Sequence, residues 1–196
     1  KVYDLADSRN NKKWMANALH VQGASFYLKG NYEEALENYS KSLAIRKQLG
    51  DKQGMESSYG NIGHIFERQG NYDKALEYYS KALSIGKELG DKKGVGVAYN
   101  NIGIIYDKQG NQEKALEYYS KSMAIKKELV DKKGISKSYM NIGVVYQNQG
   151  NYEKALDYHS KSLAIDKELG DKIGMGGSYY NIGLTYKNQG NYEKAL

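Results

Sequence analysis

The sequence predicts an all-α fold, a solenoid of antiparallel helix hairpins, and three observations support this prediction. The tripeptide Asn-Ile-Gly recurs every 40 residues from Asn61 to Asn181, and Gly-Asn recurs with the same period from Gly30 to Gly190. The chain contains no Pro, so no proline interrupts long helices between these turns. A fixed period of about 20–50 residues is typical of repeat proteins whose units bury their apolar faces only against their neighbours.

The segment from Asp91 to Val130 shows how one repeat specifies two helices. Asp91 follows a glycine and is expected to cap a helix that begins at Lys92. Gly110 is expected to end this helix in the left-handed conformation, and Asn111 to cap the next helix. Two helices of roughly 17 residues follow, and the short turn between them predicts an antiparallel pair.

Apolar residues at helical spacing predict the core of this hairpin. Gly103 and Ala115 are small where their neighbours are large, so the two backbones are expected to approach closely while tyrosine rings fill the gaps. The first helix contributes Tyr99, Ile102, Gly103 and Tyr106, and the second contributes Ala115, Leu116, Tyr119, Met123 and Ile125.

The order of these residues resembles the tetratricopeptide repeat (TPR), a family whose hairpins stack into a right-handed superhelix. The matching residues of this unit are Tyr99, Ile102, Gly103, Tyr106, Gly110, Ala115 and Tyr119, and every other unit shows the same pattern. The period is 40 residues instead of about 34, and lysine replaces the usual proline at Lys87, Lys127 and Lys167. This long form is similar to the arrays of spindle-orientation adaptors, kinesin light chains and bacterial sensor and regulator proteins.

The repeat register predicts one array over residues 1–196. Residues 1–10 are expected to end a preceding second helix, four full repeats occupy 11–50, 51–90, 91–130 and 131–170, and 171–196 begin a fifth. Both ends then fall inside a hairpin, which suggests a piece of a longer protein. Trp14 stands where later repeats have glycine, and we expect it to cover the interface with the preceding helix.

Composition argues against several classes of function. The net charge of +6 comes from lysines scattered among glutamates, which does not indicate nucleic-acid binding. The absence of Cys excludes thiol catalysis and Cys-based zinc sites. No stretch of about 18 apolar residues predicts a membrane span. We therefore expect a cytoplasmic protein, or a periplasmic one if the full-length chain has a signal peptide.

The TPR resemblance implies that the first helices of the repeats line a concave face that binds peptides. Four asparagines share one position on these helices and are expected to form a ladder, since an amide side chain can bond to both main-chain groups of an extended peptide. Bonding across to adjacent helices is the alternative. The candidate peptide-binding residues are Asn61, Asn101, Asn141, Asn181, Asn100, His64, Arg68, Ile104, Lys108, Lys137, Met140, Val144, Asn148, Tyr180, Leu184 and Lys187.

No catalytic, metal or cofactor site is predicted. His20 and His64 are expected to make ordinary polar contacts, and His159 is expected to be a surface variant of a repeated tyrosine. No nucleophile, base and orienting group stand in a recognisable arrangement. We therefore predict a non-catalytic scaffold that binds a peptide or helix of a partner protein.

Two alternatives remain at this point. The array could assemble with itself through its ends, for which Tyr3, Leu5 and Leu196 are the test positions. It could also be the sensory input domain of a larger bacterial signalling protein.

Overall fold

A computed structural model describes residues 2–195, with side chains from residue 8 onward. These residues form ten helices and no strand. The helices are α1 (Val2–Leu28), α2 (Tyr32–Leu49), α3 (Lys52–Arg68), α4 (Tyr72–Leu89), α5 (Lys92–Lys108), α6 (Gln112–Glu128), α7 (Lys132–Asn148), α8 (Tyr152–Leu169), α9 (Lys172–Asn188) and α10 (Tyr192–Ala195). The test positions Tyr3, Leu5 and Leu196 lie outside the described side chains.

The helices pack as two compact units, Lys1–Ala98 and Tyr99–Leu196, with the boundary inside α5. In the first unit α1 packs against α2, α2 against α3, and α3 against α4. In the second unit α6 packs against α7, α7 against α8, α8 against α9, and α9 against α10. Helix α7 also contacts α9. Helix hairpins that contact only their neighbours are the architecture that the repeat predicts.

Glycine turns and polar caps end the helices where the sequence predicts them. Gly110 has a φ of 75°, and the Asn111 side chain accepts a hydrogen bond from the Lys114 N–H at 3.2 Å. At the junction before α5, the Asp91 carboxylate accepts from the Gly94 N–H at 2.9 Å. Val130 takes the left-handed conformation with a φ of 54°, although glycine holds this position in the other repeats.

Close approach of the paired helices explains the repeated glycine of the first helix. A Cβ atom at Gly63 would lie 2.6 Å from the Tyr79 ring, and one at Gly103 would lie 2.7 Å from the Tyr119 ring. Both tyrosines are buried. The predicted packing of large rings over small residues is therefore confirmed.

Helix α1 corrects the expected boundary near residue 10, because it continues unbroken from Val2 to Leu28. At the later junctions a glycine stands three residues after the capping aspartate, and a Cβ atom at Gly54 would lie 2.2 Å from Asp51 Oδ2. Trp14 occupies this position in the first repeat, so its side chain is incompatible with the same tight turn. Trp14 is 74% exposed, and the prediction that it covers an interface is wrong.

His159 is also a correction, because it is fully buried instead of lying on the surface. Its ring packs against Gly143, where a Cβ atom would lie 2.5 Å from His159 Cε1. The histidine thus takes the core position that Tyr79 and Tyr119 hold in other repeats. Its two ring nitrogens have no hydrogen-bond partner among the described residues.

A buried or half-buried ionisable side chain lies at each hairpin junction, a feature that the sequence analysis missed. Arg46 Nη1 donates to Gly54 O at 2.6 Å and to Ser58 Oγ at 3.0 Å, and Lys126 Nζ donates to Ser138 Oγ at 3.0 Å. Asp166 accepts from Ser136 and Ser178. The Glu56 carboxyl packs against Gly86 and Gly94, and burial raises its pKa. The residues that these ionisable side chains contact lie on other helices. A pattern along one helix therefore does not reveal them.

Candidate functional site

The first helices of the second unit lie side by side and are linked by polar contacts. Asn141 Nδ2 on α7 donates to Asn100 Oδ1 on α5 at 3.2 Å. Thr185 Oγ1 on α9 donates to Gln147 Oε1 on α7 at 2.6 Å. These bonds hold the three helices in one surface, which we call the second-unit face.

Apolar side chains occupy the middle of the second-unit face. Ile104, Val144 and Leu184 share one repeat position and are all half-buried. Met140 is half-buried and reaches toward α9, since a Cβ atom at Gly177 would lie 3.3 Å from Met140 Cε. Tyr180 is 70% exposed. The remaining candidate residues of this face lie at its margins and are exposed: Lys108, Lys137, Asn148 and Lys187.

The asparagines of the predicted ladder differ in their surroundings. Asn101 is only 7% exposed, so the expectation that it faces solvent is wrong. Asn141 and Asn181 are half-buried, and Asn141 bonds across to the neighbouring helix as the alternative foresaw. A carboxamide has two N–H groups and an oxygen with two lone pairs, so the single Asn141–Asn100 bond leaves both side chains further bonding capacity.

An acidic group lies at the edge of the second-unit face. Burial raises the pKa of the Asp107 carboxyl, and a hydrogen bond from Asn148 opposes this rise. Asp107 Oδ1 is buried and has no hydrogen-bond partner among the described residues. Asp107 therefore links α5 to the neighbouring helix α7 through Asn148.

The first unit presents a different face, centred on His20 of α1. Arg46 Nη1 lies 3.3 Å from His20 Nδ1, and Asn61 Nδ2 lies 3.2 Å from His20 Nε2. Because a guanidinium only donates, Nδ1 accepts and Nε2 carries the proton of the neutral ring. The Asn61 amide must then turn its oxygen to Nε2 and its nitrogen away. Burial and the Arg46 charge lower the pKa of His20.

A second polar group on this face joins α3 to α4. The Tyr79 hydroxyl donates to Glu67 Oε2 at 2.7 Å and accepts from His64 Nδ1 at 2.8 Å. Burial and the Glu67 carboxylate raise the pKa of Tyr79. Arg68 Nε donates to the Tyr27 hydroxyl at 3.4 Å and links α3 to α1. These contacts make the first-unit face polar.

The described residues contain no cluster of three or more His, Asp or Glu side chains suited to a metal ion. None of the helices in the described part of the chain is long and apolar enough to cross a membrane.

A sequence model of the tetratricopeptide repeat matches residues 14–86, 54–128 and 134–196, which together span most of the chain. The chain belongs to the tetratricopeptide repeat family. No curated protein sequence shows a significant match.

Solved structures show the same TPR fold. BtubC (BKLC) from P. vanneervenii is 25% identical, with a TM-score of 0.81 over 94% of this chain and 76% of that one. The kinesin light chain-like, nearly identical TPR-like repeats of Podosopora anserina are 15% identical, with a TM-score of 0.75 over 94% of this chain and 90% of that one. A Rap protein complexed with Competence and Sporulation Factor is 18% identical, with a TM-score of 0.79 over 90% of this chain and 50% of that one.

The repeats of this TPR chain contain two kinds of residue: those that build the fold and those that vary from one repeat to the next. The signature glycines, alanines and aromatic residues recur in each hairpin and form its core. The face residues change from repeat to repeat at fixed positions: His64 corresponds to Ile104, Val144 and Leu184. This variation gives the first-unit face polar groups and the second-unit face apolar ones.

Proposed function

We propose that this TPR protein is a non-catalytic scaffold whose second-unit face binds an extended segment of a partner protein. The observation that supports the proposal best is the row of half-buried apolar side chains, Ile104, Val144 and Leu184, on three linked helices. Its partly exposed surface offers contact sites for apolar side chains of a peptide. The exposed Tyr180 ring enlarges this surface.

The expected affinity comes mainly from apolar contact. Burying one side chain of the size of valine or leucine contributes about 1.5–3 kcal/mol, whereas a hydrogen bond contributes about 0.5–1.5 kcal/mol net. Micromolar binding needs about 8 kcal/mol after the peptide has been ordered. Two or three apolar side chains of the ligand must therefore supply most of the affinity, and the asparagines Asn100, Asn141 and Asn181 fix the register of its main chain.

The charges at the margin favour an acidic partner segment. Lys137 on α7 and Lys187 on α9 are both exposed, and Asp107 Oδ1 is buried away from the surface. Such exposed charges mainly affect association rate and specificity. The ligand class is thus a segment with apolar side chains flanked by Asp or Glu.

The complex of a Rap protein with Competence and Sporulation Factor supports a ligand-binding role for this fold. The likeness extends over about half of that protein, so it supports the class of function and not the identity of a ligand.

Selection of peptides from a random display library against the full chain tests the proposal. A selected peptide should bind Tyr180→Glu at least about tenfold more weakly, because the substitution places a negative charge in the apolar surface. The matched control is Ala164→Glu, on the exposed side of α8. Equal loss in both variants, or no loss in Tyr180→Glu, contradicts binding at this face.

A further inference from the structure

The outward side of α9 carries a row of apolar residues that one glycine interrupts. The row consists of Ile173, Gly177, Tyr180 and Leu184, whose separations of four, three and four residues place them along one side of the helix. Ile173 is 89% exposed and Tyr180 is 70% exposed. The glycine leaves a gap between these two large side chains. We call this gap, with Ile173, Gly177, Tyr180 and the neighbouring Met140 of α7, the α9 notch.

The other first helices do not combine these residue types at the same positions. The equivalents of Ile173 are Lys13, Gln53, Lys93 and Lys133, and those of Gly177 are Asn17, Ser57, Val97 and Lys137. The repeat therefore does not require an exposed isoleucine and a glycine at these positions of α9. Neighbouring exposed apolar side chains that the fold does not need indicate an interaction site.

This side of a first helix faces outward also where another repeat packs beside it. Helix α7 contacts both α8 and α9. Its equivalent residues Lys133 and Lys137 are nevertheless exposed. Met140 and Val144, the next two residues of the row on α7, are half-buried. The accessibility of the α9 notch is therefore a property of its position in the repeat.

Met140 of α7 forms the side wall of the notch. A Cβ atom at Gly177 would lie 3.3 Å from Met140 Cε and 3.8 Å from Met140 Sδ. Ile173 and Tyr180 are seven residues apart, which corresponds to about 10.5 Å along the helix axis. This separation leaves space between them for one planar ring above the backbone of Gly177.

The walls of the notch favour an aromatic side chain over an aliphatic one. The Tyr180 ring offers a partner for a second ring at the centroid separation of about 4.5–7 Å that aromatic pairs prefer. The thioether of Met140 adds a second favourable contact, since sulfur interacts well with aromatic rings. Methionine is also flexible, so the terminal methyl group of Met140 can move aside for rings of different size.

The charges of α7 and α9 favour acidic residues beside such a ring. These two helices contain five lysines and no Asp or Glu. Lys132 pairs with Glu168 of α8, and Lys133 pairs with the carboxylate that caps α9. Lys137 and Lys172 are exposed and form no ion pair with a described residue. The notch thus lies between exposed positive charges that this part of the protein does not neutralise.

We propose that the α9 notch seats an aromatic residue of the partner segment, and that Asp or Glu residues beside it interact with Lys137 and Lys172. This inference rests on the proposed function and names the anchor of its ligand as Phe, Tyr or Trp. A large side chain that fills a pocket typically dominates the binding energy of an interface. Ile104 and Val144 then contact the remaining apolar side chains of the segment.

Selection from a displayed library of random peptides of about 12 residues tests the class of ligand. Peptides enriched on the full chain should share an aromatic residue with Asp or Glu close to it in sequence. Enriched peptides that share an aliphatic anchor overturn the notch and leave binding at the second-unit face intact. A library that yields no binder contradicts the proposed function itself.

Filling the notch tests the place of the anchor. Gly177→Gln should weaken the tightest aromatic peptide at least about tenfold, because the new side chain occupies the space of the ring. The matched control is Gly176→Gln, where a Cβ atom would meet no heavy atom within 4 Å, and it should bind as the wild type does. Both variants replace a helical glycine by a better helix former, so both should fold. Unchanged affinity of Gly177→Gln, or an equal loss in both variants, overturns the proposal.

The methyl resonance of Met140 distinguishes an aromatic anchor from other ligands. A ring seated beside Met140 Cε should produce a large ring-current shift of this resonance in methyl NMR of the full chain. The same peptide with leucine in place of its aromatic residue should not produce this shift. An equal Met140 shift with both peptides overturns the aromatic anchor. Shifts at Ile104 and Val144 with none at Met140 would retain the proposed function and overturn the notch.

Discussion

At the scale of single residues, His159 makes the stability of the second unit depend on pH. It is fully buried, and its two ring nitrogens have no hydrogen-bond partner among the described residues. Burial lowers the pKa of His159 to about 4. The folded chain therefore keeps the ring neutral at a pH at which the unfolded chain protonates it.

We expect acid to weaken the fold through this ring. Because the folded pKa lies below the unfolded value of about 6.5, the contribution is fully present above about pH 6.5 and falls as the pH decreases toward 4. The loss amounts to about 3 kcal/mol at most. Urea unfolding of the wild type and His159→Tyr at pH 7 and pH 4.5 measures it, and the tyrosine variant should lose less stability.

A matched histidine serves as the control for this prediction. His64 is partly exposed and bonds to the Tyr79 hydroxyl, so His64→Gln should retain the acid sensitivity that His159 causes. Identical pH dependence in the wild type and His159→Tyr would contradict the assignment.

The Asn141–Asn100 bond also makes a residue-scale prediction. Replacing either side chain by alanine should lower the free energy of unfolding by about 1 kcal/mol, and replacing both should cost clearly less than the sum. A double-mutant cycle by denaturant unfolding measures this coupling. Additive losses would show that the two asparagines do not bond in solution. If peptide affinity also falls in Asn141→Ala, the side chain acts in both stability and binding.

At the scale of the helix, residues close together in the sequence predicted the helix ends well. Features that depend on packing between helices were predicted less well. The caps at Asp91 and Asn111 depend on residues within three positions, so the sequence alone specifies them. The burial of His159 follows from the repeat register, because His159 stands 40 residues after the core residue Tyr119, and the prediction of a surface position did not apply that register. Asn101 illustrates a limit of the sequence, because its exposure depends on how neighbouring helices pack and not on its position along α5.

The junction between α6 and α7 contains a strained residue whose replacement should stabilise the protein. Val130 has a φ of 54°, a conformation that costs a β-branched residue about 1–2 kcal/mol, whereas the later junction has Gly170 with a φ of 64°. We expect Val130→Gly to raise the free energy of unfolding by about 1 kcal/mol. Denaturant unfolding measures the change.

The reverse substitution at the equivalent position is the matched control. Gly170→Val introduces the strain that Val130 carries and should destabilise by about 1 kcal/mol or more. A destabilising Val130→Gly would mean that contacts of the valine side chain outweigh its backbone strain.

At the scale of the whole molecule, the sequence predicted the TPR fold because its signals repeat in every hairpin. It did not predict the continuous α1, because the first repeat replaces glycine by Trp14 at the turn that the register expects. The resemblance to the tetratricopeptide repeat predicts that the candidate face residues lie on the first helices. In the second unit, the structure joins these helices through Asn141 and Asn100 and through Thr185 and Gln147, which the sequence did not show.

The central claim is that the second-unit face binds a peptide, and methyl NMR of the full chain tests it most directly. Methyl groups of Ile, Leu, Val and Ala would be observed during titration with a selected peptide. We expect the largest shifts at Ile104, Val144 and Leu184, with little change at the exposed alanines Ala124 and Ala164 of the second helices. Large shifts at Ala124 and Ala164 with none at the three face residues would contradict it.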